Sequence, residues 1–205
     1  MARKKKETLT TAVKFKPVKT TADVRGQLVG YQGRVTAKLQ QNGYTVKTIN
    51  THNSATLFML QGISKFLVGA FNTQSSANLK VKMSQFIPEY LGVGYDPLNR
   101  ALMPGSRKLN NEHKIARIKL EKGDPYPDKT GTKFIIPLSA VIHYSMIGSK
   151  KINELGLFAT EDPETDTLLA RVLLNNSEED NASGEIELAV GMNLLVEWEL
   201  VIQNT

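Results

Sequence analysis

Residues 33–50, GRVTAKLQQNGYTVKTIN, decide the fold class of this chain. Apolar and polar residues alternate on both sides of the dipeptide Asn42-Gly43. A two-residue Asn-Gly connection favours a type I′ turn, because that turn needs a positive φ at both central residues. The stretch therefore predicts a β-hairpin with strands at about 33–40 and 44–50.

The same two-residue period returns in the last third of the chain. Between residues 134 and 146 every second position is apolar: Phe134, Ile136, Leu138, Ala140, Ile142, Tyr144 and Met146. Further strands are predicted at about 27–31, 79–83, 90–95, 115–120, 152–158, 168–174, 184–190 and 194–203. Two-faced strands joined by short turns predict a mainly β fold, an antiparallel β-sandwich or jelly-roll-like barrel.

One packed α-helix is predicted at about residues 53–71. Asn53 or Ser54 can cap its N-terminus, and apolar residues recur at helical spacing from Leu57 to Ala70. Because the other predicted elements are strands, the helix is expected to pack on one face or one end of the sheets.

The chain is predicted to have an extended basic N-terminal arm, residues 1–24, and a single β-sandwich domain, residues 25–205. The arm is rich in Lys and Thr and shows no helical period. The domain is expected to carry a long loop at about 96–112, too polar and too broken by Pro and Gly to join a core. Loops of this length inside a domain are usually functional or held against a partner.

Charge is distributed unevenly along the sequence. The net charge is +9 for residues 1–50, +7 for residues 51–150 and −10 for residues 151–205, within a total of +6. This asymmetry predicts pairing between the two ends of the chain, within one fold or between neighbouring copies; the alternative is two solvated faces.

The basic arm supplies the candidate partner-binding residues, which are Arg3, Lys4, Lys5, Lys6, Lys14, Lys16 and Lys19. They can pair with the acidic surface of an adjacent subunit or neutralise nucleic-acid phosphates. An adjacent subunit is the preferred partner, because the only aromatic residue interleaved with these cations is Phe15, and single-strand binding relies on stacked aromatics.

No catalytic, cofactor or metal pattern is recognisable, so we predict that the chain is not an enzyme and binds no cofactor or metal. Cysteine is absent, and His52, His113 and His143 lack the spacing of a metal site. The acidic stretch 162–166 alternates oxygen-bearing side chains but has no glycine for a calcium loop, which predicts a solvated turn. The apolar runs are too short for a membrane span.

Three segments of the second half share a recognisable pattern. Residues 152–159 are INELGLFA, residues 168–172 are LLARV, and residues 195–202 are LVEWELVI. Together they resemble small β-rich structural proteins of tailed bacteriophages, of the tail, baseplate or fibre-base type. The apolar helix after Asn53 and the strand at 90–94 resemble the same group more loosely.

The resemblance implies a virion structural protein of the tail, neck or baseplate, made in the host cytoplasm, with no catalytic residue. Its partners would be copies of itself and other virion proteins, arranged in a ring or lattice. The alternatives are a capsid decoration protein, a basic nucleic-acid-binding protein that uses the arm, and a carbohydrate-binding β-sandwich. The last would need Tyr95, Tyr126 and Tyr144 to line one groove.

Overall fold

The structure is a computed structural model that describes residues 31–57, 59–62, 84–100, 103, 105–174 and 184–203. Its strands are β1 (Tyr31–Gln41), β2 (Tyr44–Ala55), β3 (Tyr90–Gly94), β4 (Ile118–Lys119), β5 (Glu121–Lys122), β6 (Tyr126–Pro127), β7 (Lys133–His143), β8 (Lys151–Ile152), β9 (Glu154–Phe158), β10 (Leu168–Leu173), β11 (Ile186–Glu187) and β12 (Met192–Gln203). Helical residues are 57 and 59–62, a 3-10 turn at Ser84–Phe86 and the short helix α1 (Tyr144–Ile147). Within these ranges no helix has the length and apolar character needed to cross a bilayer.

The predicted hairpin is confirmed and is longer than expected. β1 and β2 pair along almost their whole length. Asn42 and Gly43 connect them with φ angles of 50° and 83°, which are the positive values that the Asn-Gly dipeptide predicts. The hairpin therefore provides two adjacent strands of the main sheet.

Two antiparallel sheets are joined through β2. Sheet A contains β2, β1, β12 and β7 in that order, with β5 and β6 on the far edge of β7, and sheet B contains β10, β9, β3 and β4. The last residues of β2, Ser54 and Ala55, leave sheet A and pair with Arg171 and Ala170 of β10. A strand that passes from one sheet into the other forms a corner of a sandwich. The predicted mainly β antiparallel fold is confirmed.

The main core fills the space between the two sheets. Sheet A contributes buried side chains that include Val35, Ala37, Leu138, Ile142, Leu194, Val196, Trp198 and Leu200, and sheet B contributes Leu91, Val93, Leu155, Leu157 and Val172. On β12 the apolar residues alternate with Glu197 and Glu199, which lie on the outer face as the sequence pattern predicts.

The outer face of sheet B is covered as well, since every residue of β9 and β10 is buried. Phe158, Leu168 and Leu109 form a second, smaller cluster there. Leu109 belongs to the predicted loop at 96–112, and Asp96 at its start is also buried. The prediction that this loop stays outside any core was therefore wrong, because the loop packs on sheet B.

The predicted helix start at residue 53 was also wrong. β2 continues to Ala55 because its last two residues pair with β10. The cap is Thr56, whose Oγ1 accepts a hydrogen bond from the Met59 amide at 3.2 Å and donates to the β10 carbonyls at residues 168 and 169. Residues 63–71 of the predicted helix, most of the predicted strand at 27–31, the strand at 79–83 and the arm at 1–24 lie outside the described residues.

Several predicted strands are shorter or interrupted. The strand expected at 134–146 ends at His143, where α1 begins, and those expected at 115–120 and 184–190 shrink to β4 and β11. The strand expected at 152–158 breaks at Asn153, because this side chain bonds the backbone N and O of Asp96, both at 2.8 Å. Side-chain contacts to a distant loop thus override the local alternation.

Gly156 of the INELGLFA segment lies opposite Gly92 of β3. A Cβ on Gly156 would stand 2.7 Å from Leu168 Cδ1, 2.8 Å from Leu109 Cδ2 and 2.9 Å from Phe158 Cε2. A Cβ on Gly92 would stand 2.5 Å from the same Phe158 atom. The Phe158 ring therefore lies over both glycines, which confirms that Gly156 permits a ring to approach closely.

We predict that Gly156→Ala lowers the free energy of unfolding by about 1–3 kcal/mol, because the added methyl group overpacks the second cluster. Gly105→Ala is the matched control, since a Cβ there meets no atom within 4 Å. Urea denaturation of both variants measures the difference. Equal midpoints would show that the space over Gly156 is not tightly filled.

Candidate partner-binding site

The predicted pairing has a basic and an acidic side, and the structure describes part of the acidic side; Glu178, Glu179 and Asp180 lie outside the described residues. The arm residues Arg3, Lys4, Lys5, Lys6, Lys14, Lys16 and Lys19 lie outside the described residues. On the acidic side, residues 159–167 connect β9 to β10 and form what we call the acidic turn. The turn is the most concentrated group of exposed carboxylates among the described residues of the last third.

Four carboxylates of the acidic turn, those of Glu161, Asp162, Glu164 and Asp166, are exposed. Asp166 pairs with Lys108 at 3.0 Å, and this hydrogen bond raises the pKa of Lys108. Within the described part of the chain, the other three carboxylates form no ion pair. They are thus available to a cationic partner.

Arg117 holds the acidic turn from beneath. Its side chain is fully buried, and its guanidinium donates to the carbonyl oxygens of Thr160, Pro163 and Thr165 at 3.2–3.3 Å. Its Nη1 also lies within 3.4 Å of the hydroxyls of Thr160, Thr165 and Thr167. One buried cation therefore fixes the backbone that presents the carboxylates.

The position of Arg117 is set by Glu112 and Phe158. Glu112 accepts two hydrogen bonds from the guanidinium, at 2.8 Å from Nε and 3.1 Å from Nη2. The guanidinium carbon lies 3.4 Å from the centroid of the Phe158 ring, a cation–π contact. Because that ring rests on Gly92 and Gly156, the Gly-Leu-Phe segment supports the turn from the sheet side.

A second buried ionic cluster joins sheet B to the start of the long loop. Arg171 of β10 donates to Glu154 of β9 at 2.6 Å and to the Arg100 carbonyl at 2.7 Å. Its Nη2 lies 3.6 Å from Asp96, and the side chains of Arg171, Glu154 and Asp96 are at most 2% exposed. Glu154 also accepts the Asn110 amide at 2.7 Å. Both ends of the loop are thereby attached to the sheet.

Asp96 stays ionised in this environment. Burial favours its neutral form, but hydrogen bonds from the Arg100 and Asn110 side chains and from the Arg100 and Leu98 amides outweigh burial. They hold the pKa of Asp96 well below its ordinary value of 3.8. The charge that Arg171 needs is therefore present at every physiological pH.

Part of the predicted pairing between the chain ends occurs within one fold. On the outer face of sheet A, Lys38 contacts Glu197 at 2.6 Å and Arg34 contacts Glu199 at 3.7 Å. These pairs are partly exposed, so each contributes less than about 1 kcal/mol to stability. They neutralise two acids of the last third and leave the acidic turn as its main unpaired surface in the described chain.

A second exposed contact surrounds Glu185, which accepts hydrogen bonds from Tyr95 at 2.8 Å and from Lys151 at 2.9 Å. The bond to Glu185 raises the pKa of Tyr95 and that of Lys151, and the two bonds lower the pKa of Glu185. Through Glu185 this contact joins Lys151, the first residue of β8, to Tyr95, the residue that follows β3.

The histidines are not brought together. His113 contacts the Lys151 carbonyl at 2.7 Å, His143 contacts Asn193 at 2.8 Å on the surface, and His52 is exposed on β2. Among the described residues no group of three or more His, Cys, Asp or Glu side chains has the geometry of a metal site.

A groove of about 400 Å³ lies on the outer face of sheet A. It is lined by Arg34, Thr36, Ser139, Glu197 and Glu199, among others, and not by Tyr95, Tyr126 or Tyr144, the tyrosines that a carbohydrate site would need.

Sequence reasoning did not identify Arg117, Arg171, Asp96 or Glu154 as structural centres. A signal was present, because Glu154 and Arg171 are single charges inside otherwise apolar strands. A lone charge at a buried strand position requires a partner of opposite charge. The pairing of Glu154 with Arg171 follows from this rule, whereas the contribution of Asp96 depends on the path of the loop.

We predict that Asp96→Asn lowers the free energy of unfolding at pH 7 by roughly 3 kcal/mol, because Arg171 loses a buried counter-charge. The depressed pKa of Asp96 stabilises the wild type above pH 3.8, and this contribution is lost as the pH falls below that value. The variant should therefore lose less free energy of unfolding than the wild type as the pH is lowered below about 4. Denaturation at a series of pH values measures both effects.

Asp124→Asn is the control for this experiment, since Asp124 is exposed. It should leave both the stability at pH 7 and the acid dependence unchanged. An acid dependence of Asp96→Asn identical to that of the wild type would contradict the role of this carboxylate.

We also predict that Arg117→Met opens the acidic turn to a protease that cleaves after glutamate, because the turn backbone loses its buried donors. Lys114→Met is the control, since Lys114 is exposed and three residues away. Limited proteolysis followed by mass spectrometry should show cleavage after Glu161 or Glu164 in the first variant only. Equal cleavage in both variants would show that Arg117 does not hold the turn.

Comparison with known proteins gives no match: no protein-family model, no curated protein and no solved structure is similar to this chain. The resemblance to phage structural proteins therefore remains a hypothesis that is based on residues 152–159, 168–172 and 195–202. The function of the chain has to be inferred from its own residues and their geometry.

Proposed function

We propose that this chain is a structural subunit of a tailed-phage virion, at the tail, neck or baseplate, which assembles through contacts between copies. The observation that carries the proposal is the acidic turn. Three of its carboxylates are unpaired among the described residues, and its backbone is fixed from beneath by Arg117. The same chain carries seven cations and two acids in its first 24 residues.

The proposed contact joins the arm of one copy to the acidic turn of the next. Such a contact uses two different surfaces, so each copy can bind one neighbour on each side. Repeated contacts of this kind close into a ring when the rotation between copies allows it. Because the contact is electrostatic and exposed, added salt should weaken it, with a Debye length of about 10 Å at 0.1 M.

The burial and the contacts of the INELGLFA segment support a structural role. Every residue of β9 is buried, Leu155 and Leu157 lie in the main core, and Phe158 lies in the second cluster. Glu154 is committed to Arg171 and to the loop amide of Asn110. The segment that carries the resemblance thus builds the sandwich and supports the acidic turn.

We predict a discrete oligomer at low salt that dissociates at 1 M salt, measured by light scattering. Deletion of residues 2–20 should prevent assembly while circular dichroism shows an unchanged fold. The double variant Glu161→Gln, Glu164→Gln should weaken assembly, whereas the control Glu121→Gln, Asp124→Gln on exposed residues elsewhere should not. An oligomer that survives the deletion would contradict the proposal. A monomer at every salt concentration would favour a capsid decoration protein instead.

Nucleic-acid binding by the arm is the second candidate function, favoured by the seven cations between Arg3 and Lys19. If the arm lies on a duplex and each cation neutralises a phosphate, log K falls with log salt at a slope of up to about −6, from −0.9 per phosphate. Gel retardation of the full chain at several salt concentrations tests this function. Binding that is absent, or that does not change with salt, excludes it.

A further inference from the structure

The outer face of sheet A is a broad surface formed by four long strands. β2, β1, β12 and β7 lie side by side in that order and contain 12, 11, 12 and 11 residues. At about 3.3 Å per residue and 4.8 Å per strand, the face measures roughly 36 by 19 Å. This is about 700 Å², close to the 800 Å² or so that each partner buries in a stable interface. The face is therefore large enough for a stable protein contact.

The centre of this face carries cations on β1 and acids on β12. The register places Arg34 opposite Glu199, and Lys38 contacts Glu197. The side chains of Arg34 and Glu197 are 64% and 43% exposed. The 3.7 Å between Arg34 Nη1 and a Glu199 carboxylate oxygen is too long for a hydrogen bond. Arg34 and Glu199 therefore retain hydrogen-bonding capacity for a further charged partner.

Aliphatic pairs flank the charges on both sides. Leu195 pairs with Val141 at one side of the charged centre, and Val201 pairs with Ile135 at the other. Val141 is 37% exposed, and the other three side chains are half-buried. The groove of about 400 Å³ lies between the two pairs, among the charged residues. A protein surface that covers this face would bury apolar side chains at its flanks and place its own charges at the centre.

We propose that the covering surface is the same face of a second copy, in a dimer with its twofold axis parallel to the strands, between β1 and β12. This rotation sets β1 of one copy over β12 of the other and keeps each residue at its position along the strands. Arg34 of each copy then meets Glu199 of the other, as an isologous contact requires. A twofold axis across the strands would instead set β1 over β1 and bring like charges together. The charge pattern therefore selects the first orientation.

This contact uses a surface different from those of the arm and the acidic turn, so it does not rest on the proposed function. A dimer formed by it persists when residues 2–20 are deleted, and only oligomers larger than a dimer report on the arm. Where both contacts form, the twofold contact joins two rings face to face.

Charge reversal tests the dimer, because two single variants become complementary to each other. Glu199→Lys and Arg34→Glu each set like charges opposite one another twice in their own dimer. Each should therefore raise the dimer dissociation constant at least about 100-fold. In an equimolar mixture every reversed residue meets an opposite charge, so the heterodimer should form. Both variants are made in the full chain carrying Glu161→Gln and Glu164→Gln, which removes the proposed arm contact from the measurement.

Sedimentation equilibrium measures the dissociation constants, and copurification of a tagged variant with an untagged one identifies the heterodimer. Circular dichroism establishes that each variant folds. The matched control is Lys114→Glu and Glu187→Lys, two exposed charges outside this face, each of which should dimerise like the parent chain. A monomeric parent chain, unchanged dimerisation of both reversed variants, or an equimolar mixture that stays monomeric would overturn the proposal.

Discussion

Two buried arginines require the long loop and the acidic turn to pack on the outer face of sheet B. A guanidinium without compensating charges and hydrogen bonds is too costly to bury. Arg171 finds Glu154 on the neighbouring strand, but its remaining partners, Asp96 and the Arg100 carbonyl, are supplied by the long loop. Arg117 finds Glu112 and the backbone of the acidic turn. The loop and the turn are therefore fixed by the same requirement.

This requirement explains why a polar segment behaves as part of the fold. Among its described residues, the loop beginning at Asp96 contributes Leu109 to a buried apolar cluster. Its Asp96 carboxylate, Arg100 carbonyl and Asn110 amide contact the buried charges of Arg171 and Glu154 on sheet B. Removing one partner of such a network leaves an uncompensated charge, so the network acts together. The described part of the loop is attached to sheet B by hydrogen bonds and ion pairs more than by apolar burial.

The INELGLFA segment serves two layers at once. Alternate residues point to opposite faces of a strand, so Leu155 and Leu157 enter the main core while Glu154, Gly156 and Phe158 build the outer layer. Gly156 makes room for the Phe158 ring, and this ring makes the cation–π contact with the Arg117 guanidinium. A short strand thus connects the centre of the sandwich to the surface where the carboxylates of the acidic turn are presented.

The sequence by itself determined the fold class, the Asn42-Gly43 hairpin and the two faces of β12, because these depend on period-two alternation and on a turn that few residues can form. It also indicated the exposed acidic turn. Only the tertiary structure decided that β2 ends at Ala55, that Asn153 breaks a strand, and that Asp96 and Leu109 are buried. Each of these features depends on a partner far along the chain, and local alternation carries no information about which distant groups will satisfy a buried charge or a strand edge.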